Sequence, residues 1–102
     1  DAIQKHVESK GYSIVRELVG HGIGTKLHLE PQVPNFSTPI SADHNVELKE
    51  GMCLAIEPMV NLGSRHIKTD LDGWTIRTQD GQPSAHFEHS ILITKLQPRI
   101  LT

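Results

Sequence analysis

The chain has 102 residues, a formal net charge of -2 at pH 7, and a composition that is 36% hydrophobic but only 4% aromatic. This length suits one domain, or one part of a larger domain, with a modest core of aliphatic side chains. The weak negative charge argues against a nucleic-acid partner. No apolar run approaches the roughly 20 residues that a membrane-spanning helix needs, so no membrane partner is expected either.

The predicted elements begin with a helix over residues 2–10, where apolar residues recur at helical spacing before Gly11. Runs rich in β-branched or apolar residues then predict four strands: residues 12–19, 52–60, 74–80 and 86–94. The second of these is apolar almost throughout, as in a strand buried on both faces. The glycines and prolines between residues 20 and 50 predict a loop, and residues 80–83 predict a turn. Together the elements predict an α+β fold, a mostly antiparallel sheet with a packed helix.

Two further features bear on the origin of the chain. The single cysteine, Cys53, cannot form an internal disulfide, which favours a reducing compartment such as the cytoplasm, with an organelle left open. The sequence begins at Asp1 without a methionine and enters a helix at once. We therefore expect that it was processed or cut from something longer.

Glu57 is a carboxylate inside the apolar run of residues 52–60. An unpaired buried charge costs several kcal/mol, so this side chain needs a cation, a hydrogen-bond donor or a proton. Pro58 follows directly and removes a backbone donor, which predicts that the strand ends there. The carboxylate would then lie at the mouth of a strand.

Glu88 is a second carboxylate in partly apolar surroundings, and His21 stands in a Gly-His-Gly bend. Imidazole nitrogen and carboxylate oxygen suit Mn, Fe, Co or Zn, whereas the thiolates of a structural zinc site are absent from the sequence. A single glutamate at a strand end is more often capped or paired, and a histidine in a glycine bend is more often structural. These residues alone leave both interpretations open.

Three successive blocks resemble the signatures of type I methionine aminopeptidases: GHGIGTKLHLEPQVPN, GMCLAIEPMVNLG and DGWTIRTQDGQPSAHFEHSILIT. Their order and spacing also match, and the resemblance extends over essentially the whole chain. It implies a pita-bread (creatinase/aminopeptidase-like) fold, in which two pseudo-symmetric α+β halves enclose a metal centre. Residues 1–102 would be the C-terminal half of that catalytic domain. The implied activity is the hydrolytic removal of N-terminal methionine from nascent polypeptides.

The resemblance also implies a role for each candidate residue. The metal ligands would be His21, Glu57 and Glu88, with Glu88 bridging two divalent ions (Co, Mn, Fe or Zn). Glu57 would also carry the proton of the attacking water. His28 would contact the substrate amide and stabilise the tetrahedral intermediate. Leu27 and Trp74 would lie beside the methionine pocket, where many family members carry phenylalanine in place of Leu27.

Two aspartate ligands of the family would lie before Asp1, and the remaining aspartates fall in loops or turns, at positions 43, 70, 72 and 80. We therefore expect a chain that lacks two Asp ligands, holds at most one ion weakly and is inactive by itself. Its partners would be the N-terminal methionine of nascent polypeptides and the missing N-terminal half, with a ribosome contact left open. One alternative is a catalytically silent pita-bread module that binds a peptide. Another is a short protein that pairs with a separate N-terminal partner.

Overall fold

The structure of the chain is a computed structural model, which describes residues 1–38 and 46–102. Asp43, predicted to be a loop or turn residue, lies outside these ranges. The described elements are, in chain order, α1 (Ala2–Ser9), β1 (Ser13–Ile14), β2 (Gly20–Ile23), β3 (Leu29–Val33), β4 (Cys53–Ile56), β5 (Met59–Asn61), β6 (Ile67–Thr69), β7 (Ile76–Thr78), β8 (Ser84–His86), β9 (His89–Leu92) and β10 (Arg99–Ile100). All the strand pairs that they form are antiparallel. Among these residues no helix has the length and apolar character to cross a bilayer.

The helix agrees with the prediction to within one residue at its end. Its one buried side chain is that of Val7, which faces the sheets. Asp1 and Lys5 form an ion pair one turn apart at the exposed start of the helix, with 2.6 Å between their charged atoms. Gly11 follows the helix with a φ of 81°, a left-handed conformation that glycine adopts without steric cost and that commonly ends helices.

Strand β4 is the middle strand of a five-stranded sheet with the order β10-β9-β4-β2-β3. Leu54 and Ala55, at the centre of β4, are buried, as predicted for a strand covered on both faces. A second sheet has the order β1-β5-β8, and β6 and β7 form a separate two-stranded sheet. The described core therefore lies around β4 and β1, where Ile14 and Val15 are also buried.

One long antiparallel ribbon links the two larger sheets. One side of the ribbon is β4 followed by β5, and the other side is β8 followed by β9. The pairs that flank the junction keep a single register: Ile56 with His89, and Met59 with His86. At the junction the backbone N–H of Phe87 donates to the carbonyl of Pro58 at 3.4 Å. Continued through the junction, this register sets Glu57 directly opposite Glu88.

Several predicted strands were too long. The predicted strand over residues 12–19 is reduced to β1. The backbone N–H of Val15 still donates to the carbonyl of Met59 in β5, and the next backbone N–H, that of Arg16, donates to the carboxylate of Glu17. The strand predicted over residues 52–60 is divided into β4 and β5 at Pro58, which has no backbone donor. Strands β6 and β10 were not predicted at all.

The predicted loop between residues 20 and 50 was wrong in its first part, because it contains β2 and β3. Gly20 and Gly22 belong to β2, where glycine is required by close packing of backbones. A Cβ at Gly20 would collide with the carbonyl of Ala55, and one at Gly22 would collide with the carbonyl of Glu30. Strand pairing therefore requires glycine at these two positions, although a glycine-rich segment is usually typical of a turn.

Two aspartates act as turn residues, as predicted. Asp72 accepts hydrogen bonds from the hydroxyl of Thr75 and from two backbone N–H groups, and these bonds lower its pKa. Asp80 accepts from the backbone N–H of Gln82 and of Ser64, which also lowers its pKa. Both carboxylates thus tie together the exposed segment that carries β6 and β7.

We expect Asp80→Asn to destabilise the fold in a pH-dependent way. The folded pKa of Asp80 lies below its unfolded value, which is about 3.9 for aspartate. Its carboxylate therefore stabilises the fold above that pH, and this contribution is lost as the pH falls through the folded pKa. Wild type should melt at a higher temperature than the variant at about pH 6, and the gap should narrow as the pH falls below the unfolded pKa of about 3.9. A gap of constant size across this range would contradict the assignment.

Candidate metal centre

Glu57 and Glu88 face each other at the junction between the two sheets, and His21 joins them. One ligand atom from each of the three side chains lies within 4.8 Å of the other two. Strand pairing explains why His21 joins the two carboxylates. His21 pairs with Ala55, and Ala55 lies two residues before Glu57, so the side chains of His21 and Glu57 point to the same face of the sheet. The three side chains predicted as metal ligands are therefore close together.

The hydrogen bonding of His21 determines which of its ring nitrogens is available. Nδ1 lies 2.9 Å from the carbonyl oxygen of Gly22, which can only accept, so Nδ1 carries the proton in this bond. Nε2 of the neutral ring then presents a lone pair, and it lies 3.2 Å from Oε1 of Glu57. A lone pair facing a carboxylate oxygen at this distance is favourable when a cation is shared between them.

The donor set fits a divalent ion of the first transition row. Nitrogen and oxygen ligands of such ions lie about 2.0–2.2 Å from the metal, so two ligands of one ion are roughly 3–4.4 Å apart. The observed separations of the three donors are close to this range. Two of the three side chains, His21 and Glu57, also line a cavity.

The burial of the two carboxylates differs from the prediction. Glu57 is only 15% exposed, as expected for a carboxylate at the mouth of an apolar strand. Glu88, which was predicted to carry a similar desolvation cost, is exposed. Glu88 lies between β8, which is the outer strand of its sheet among the described residues, and the start of β9.

Asn35 supports the backbone at Glu57. Its side chain is 1% exposed, and its Nδ2 donates to the carbonyl of Glu57 at a long 3.4 Å. That carbonyl precedes Pro58 at the point where the chain passes from one sheet to the other. Asn35 thus helps to define where the strand stops and how its last side chain leaves the sheet.

A cavity of about 420 Å³ opens beside the cluster. Apart from cluster members, just over half of its lining residues are apolar, Leu18, Met59 and Ile76 among them, and two histidines, His28 and His86, also face it. The ring of His28 lies against that of His21, with 4.2 Å between the centroids and an angle of 49° between the planes. This places an exposed imidazole where it can donate to a molecule bound in the cavity.

Leu27 and Trp74 are not among the residues that line this cavity. Leu27 is 69% exposed and Trp74 is 87% exposed in the chain. Their roles beside a methionine pocket stay predictions. The described aspartates also stay apart from the cluster, and Asp70 instead pairs with Arg77 at 2.6 Å.

His86 was missed as a member of this site and was predicted only to be solvent-exposed. Its imidazole is 48% exposed, but Nε2 lies 3.4 Å from Oε2 of Glu57. The sequence did indicate that His86 and Glu88 share a face, because His86 lies two residues before Glu88 and residues two apart in a strand point the same way. Without the register of the ribbon, nothing in the sequence connected that face to Glu57.

Comparisons with known proteins give a consistent result. The model of metallopeptidase family M24 matches residues 1–95. Methionine aminopeptidase 1 of Bacillus subtilis is 54% identical over 101 residues, which make up 99% of this chain and 40% of that protein. The methionine aminopeptidase of Escherichia coli is 52% identical over 101 residues, 99% of this chain and 37% of its own length. The chain thus spans about two fifths of the length of these relatives.

Solved structures agree with these sequence relatives. Methionine aminopeptidase from Thermotoga maritima has a TM-score of 0.88 and 50% identity, covering 96% of this chain and 38% of that one. The enzyme from Rickettsia prowazekii has a TM-score of 0.88 and 42% identity, covering 97% of this chain and 39% of its own. These similarities confirm the predicted α+β pita-bread fold.

The opposed carboxylates lead to a test of stability. Glu88→Gln removes one of two like charges that face each other, so we expect the free energy of unfolding of the metal-free protein to rise by about 0.2–1 kcal/mol. Glu50→Gln is the matched control, because Glu50 is exposed and lies 3.8 Å from Lys95, so its loss should leave stability unchanged or slightly lower. Denaturant titration in a chelating buffer measures both. A loss of stability in Glu88→Gln would show that the two carboxylates do not repel.

Proposed function

The chain belongs to metallopeptidase family M24, and from that premise we propose that it forms part of a methionine aminopeptidase. The reaction is the metal-dependent hydrolysis that removes N-terminal methionine from nascent polypeptides. The named relatives support this activity, and since the chain covers only about 40% of their length, the activity is proposed for an assembled enzyme. Residues 1–102 are assigned to the C-terminal half of its catalytic domain.

One observation carries the proposal, the convergence of His21, Glu57 and Glu88 within 4.8 Å of one another. A module that only binds a peptide has no need of two carboxylates set against each other, because their repulsion weakens its fold. A hydrolase needs them, since they hold cations. The cluster also adjoins a cavity of about 420 Å³, large enough to hold an amino-acid side chain and part of the backbone.

We assign the metal ligands of this chain as His21, Glu57 and Glu88, which would hold metal through one imidazole nitrogen and two carboxylates. The assembled enzyme would hold two divalent ions (Co, Mn, Fe or Zn), whereas this chain would hold at most one weakly. Such ions polarise a peptide carbonyl and make a bound water more acidic. We also assign to Glu57 the role of accepting the proton of the attacking water, which its position on the wall of the cavity would suit.

His28 is proposed to act on the substrate. Its exposed ring lies on the cavity wall beside His21, so it can donate a hydrogen bond to the oxygen on which negative charge develops. Leu27 and Trp74 are proposed to flank the methionine side chain. Their large exposure in this chain suits apolar surfaces that a ligand and a second half would cover.

The missing N-terminal half is the proposed structural partner, and it would supply two aspartate ligands. Large apolar side chains exposed near the site support this, with Phe87 directly before Glu88 among them. A nascent polypeptide is the proposed substrate, and the cytoplasm, where such chains emerge from ribosomes, is the proposed location. No nucleic-acid or membrane partner is proposed.

Metal removal tests the activity of the assembled enzyme. With Mn²⁺ or Co²⁺ present it should cleave methionine from a Met-Ala-Ser peptide, and excess chelator should abolish turnover until the ion is restored. The 102-residue chain alone should give no measurable turnover, because it carries only part of the ligand set. Turnover by the chain alone would contradict the need for a second half. Peptide binding without hydrolysis by the metal-loaded assembly would favour the silent binding module.

His28→Ala tests the proposed oxyanion donor. We expect kcat to fall by about 10²–10³-fold, as when one such donor is removed, with metal affinity unchanged. His66→Ala is the matched control, because His66 is an exposed histidine whose nearest carboxylate is that of Glu17, at 3.9 Å. Steady-state kinetics of both variants measure the effect. An equal loss of activity in His28→Ala and His66→Ala would contradict the assignment of His28 as the oxyanion donor.

A further inference from the structure

Glu57 is contacted by a different imidazole at each of its carboxylate oxygens. His21 approaches Oε1 with a separation of 3.2 Å, and His86 approaches Oε2 with a separation of 3.4 Å. The two rings come from separate elements, β2 and β8, which pair with opposite sides of the β4–β5 segment around Glu57. Each carboxylate oxygen therefore has its own imidazole neighbour.

The backbone explains why His86 reaches this point. Met59 pairs with His86, and Phe87 donates a backbone hydrogen bond to Pro58, so β8 is tied to the chain on the far side of Glu57. In the single register of the ribbon, His86 lies on the same face as Glu57 and Met59. The contact thus follows from strand pairing and does not depend on a free surface side chain.

The chemistry of the contact defines what His86 supplies. Because Oε2 of an ionised carboxylate can only accept, the neutral ring of His86 must carry its proton on Nε2 to approach it favourably. A shift of about 0.4 Å brings this pair to the usual hydrogen-bond distance. His21 has the opposite arrangement. Its Nδ1–H donates to the carbonyl oxygen of Gly22, so its Nε2 carries a lone pair and no proton. The two histidines therefore have different tasks at one carboxylate.

We propose that His86 is a positioning residue, which donates to Oε2 of Glu57 and keeps Oε1 directed at the ligand cluster. This inference rests on the proposed function, in which Glu57 is a metal ligand. Hydrogen bonds to the outer oxygen of a ligating carboxylate fix its orientation, and their loss commonly reduces metal affinity by about 10–100-fold. His86 itself lies outside the ligand group, which consists of His21, Glu57 and Glu88 among the described residues.

A third histidine–glutamate pair among the described residues shows what an incidental contact looks like. His66 lies 3.9 Å from Glu17, and both side chains are well exposed to solvent. Glu57, in contrast, is little exposed, and its backbone is bonded to Asn35. Exposed pairs are screened by water and hold neither partner in place. His66 therefore provides a matched control for the same substitution.

The test uses the assembled enzyme with three variants: His86→Leu, His86→Gln and His66→Leu. Isothermal titration of the metal-free proteins with Mn²⁺ measures affinity without reference to turnover. We expect His86→Leu to bind Mn²⁺ about 10–100-fold more weakly, because the apolar side chain cannot donate to Oε2. His86→Gln retains a donor of similar reach and should stay within about threefold of wild type. His66→Leu should match wild type.

Each outcome decides the point. Wild-type affinity in His86→Leu, or an equal loss in His86→Leu and His86→Gln, would overturn the positioning role while leaving the metal site intact. A wild-type enzyme that binds no Mn²⁺ would instead overturn the proposed function. If His86→Leu does not fold, as judged by its thermal transition, His86→Ser replaces it, since serine adds no apolar surface and cannot reach Oε2. The same expected loss and the same contrary result then apply to that variant.

Discussion

The candidate site depends on one backbone register, which continues from the five-stranded sheet into the three-stranded sheet and sets Glu57 opposite Glu88. Carboxylates in directly opposed positions repel each other, and His21 adds a third electron-pair donor on the same face. A divalent cation held by the three side chains would convert these repulsions into attractions, because each donor would then face positive charge. In the proposed site, the arrangement that weakens the metal-free fold is the one that would stabilise the loaded form.

The remaining features of the site follow from how this register is maintained. Gly20 and Gly22 allow β2 to approach its neighbours closely enough to bring His21 beside β4. Strand β4 ends at Ile56, and Glu57 and Pro58 lie between it and β5, where Asn35 bonds the carbonyl of Glu57. Glu57 and the first residue of β5, Met59, both line the cavity beside the cluster. Two glycines, one proline and one asparagine from separate parts of the sequence thus all help to position the carboxylate of Glu57.

Local sequence rules predicted part of this arrangement. Glu57 was identified because a carboxylate in an apolar run followed by proline is anomalous by itself, and the helix before Gly11 was identified from its periodicity. Strand β2 was missed because glycines that permit close backbone contact have the composition of a turn. The contact of His86 with Glu57 was missed for a different reason. Strand register depends on long-range pairing, and a single sequence contains no local signal of which residue lies opposite Glu57.

The most direct test of the account is the position of a bound ion. Crystals of the assembled enzyme grown with Mn²⁺, with data collected at the manganese absorption edge, would locate the metal independently of any activity. The account predicts an anomalous peak within about 2.0–2.3 Å of Nε2 of His21 and of a carboxylate oxygen from both Glu57 and Glu88. A peak that lies away from these three side chains, or full Mn²⁺ binding with Glu57 and Glu88 turned apart, would contradict it.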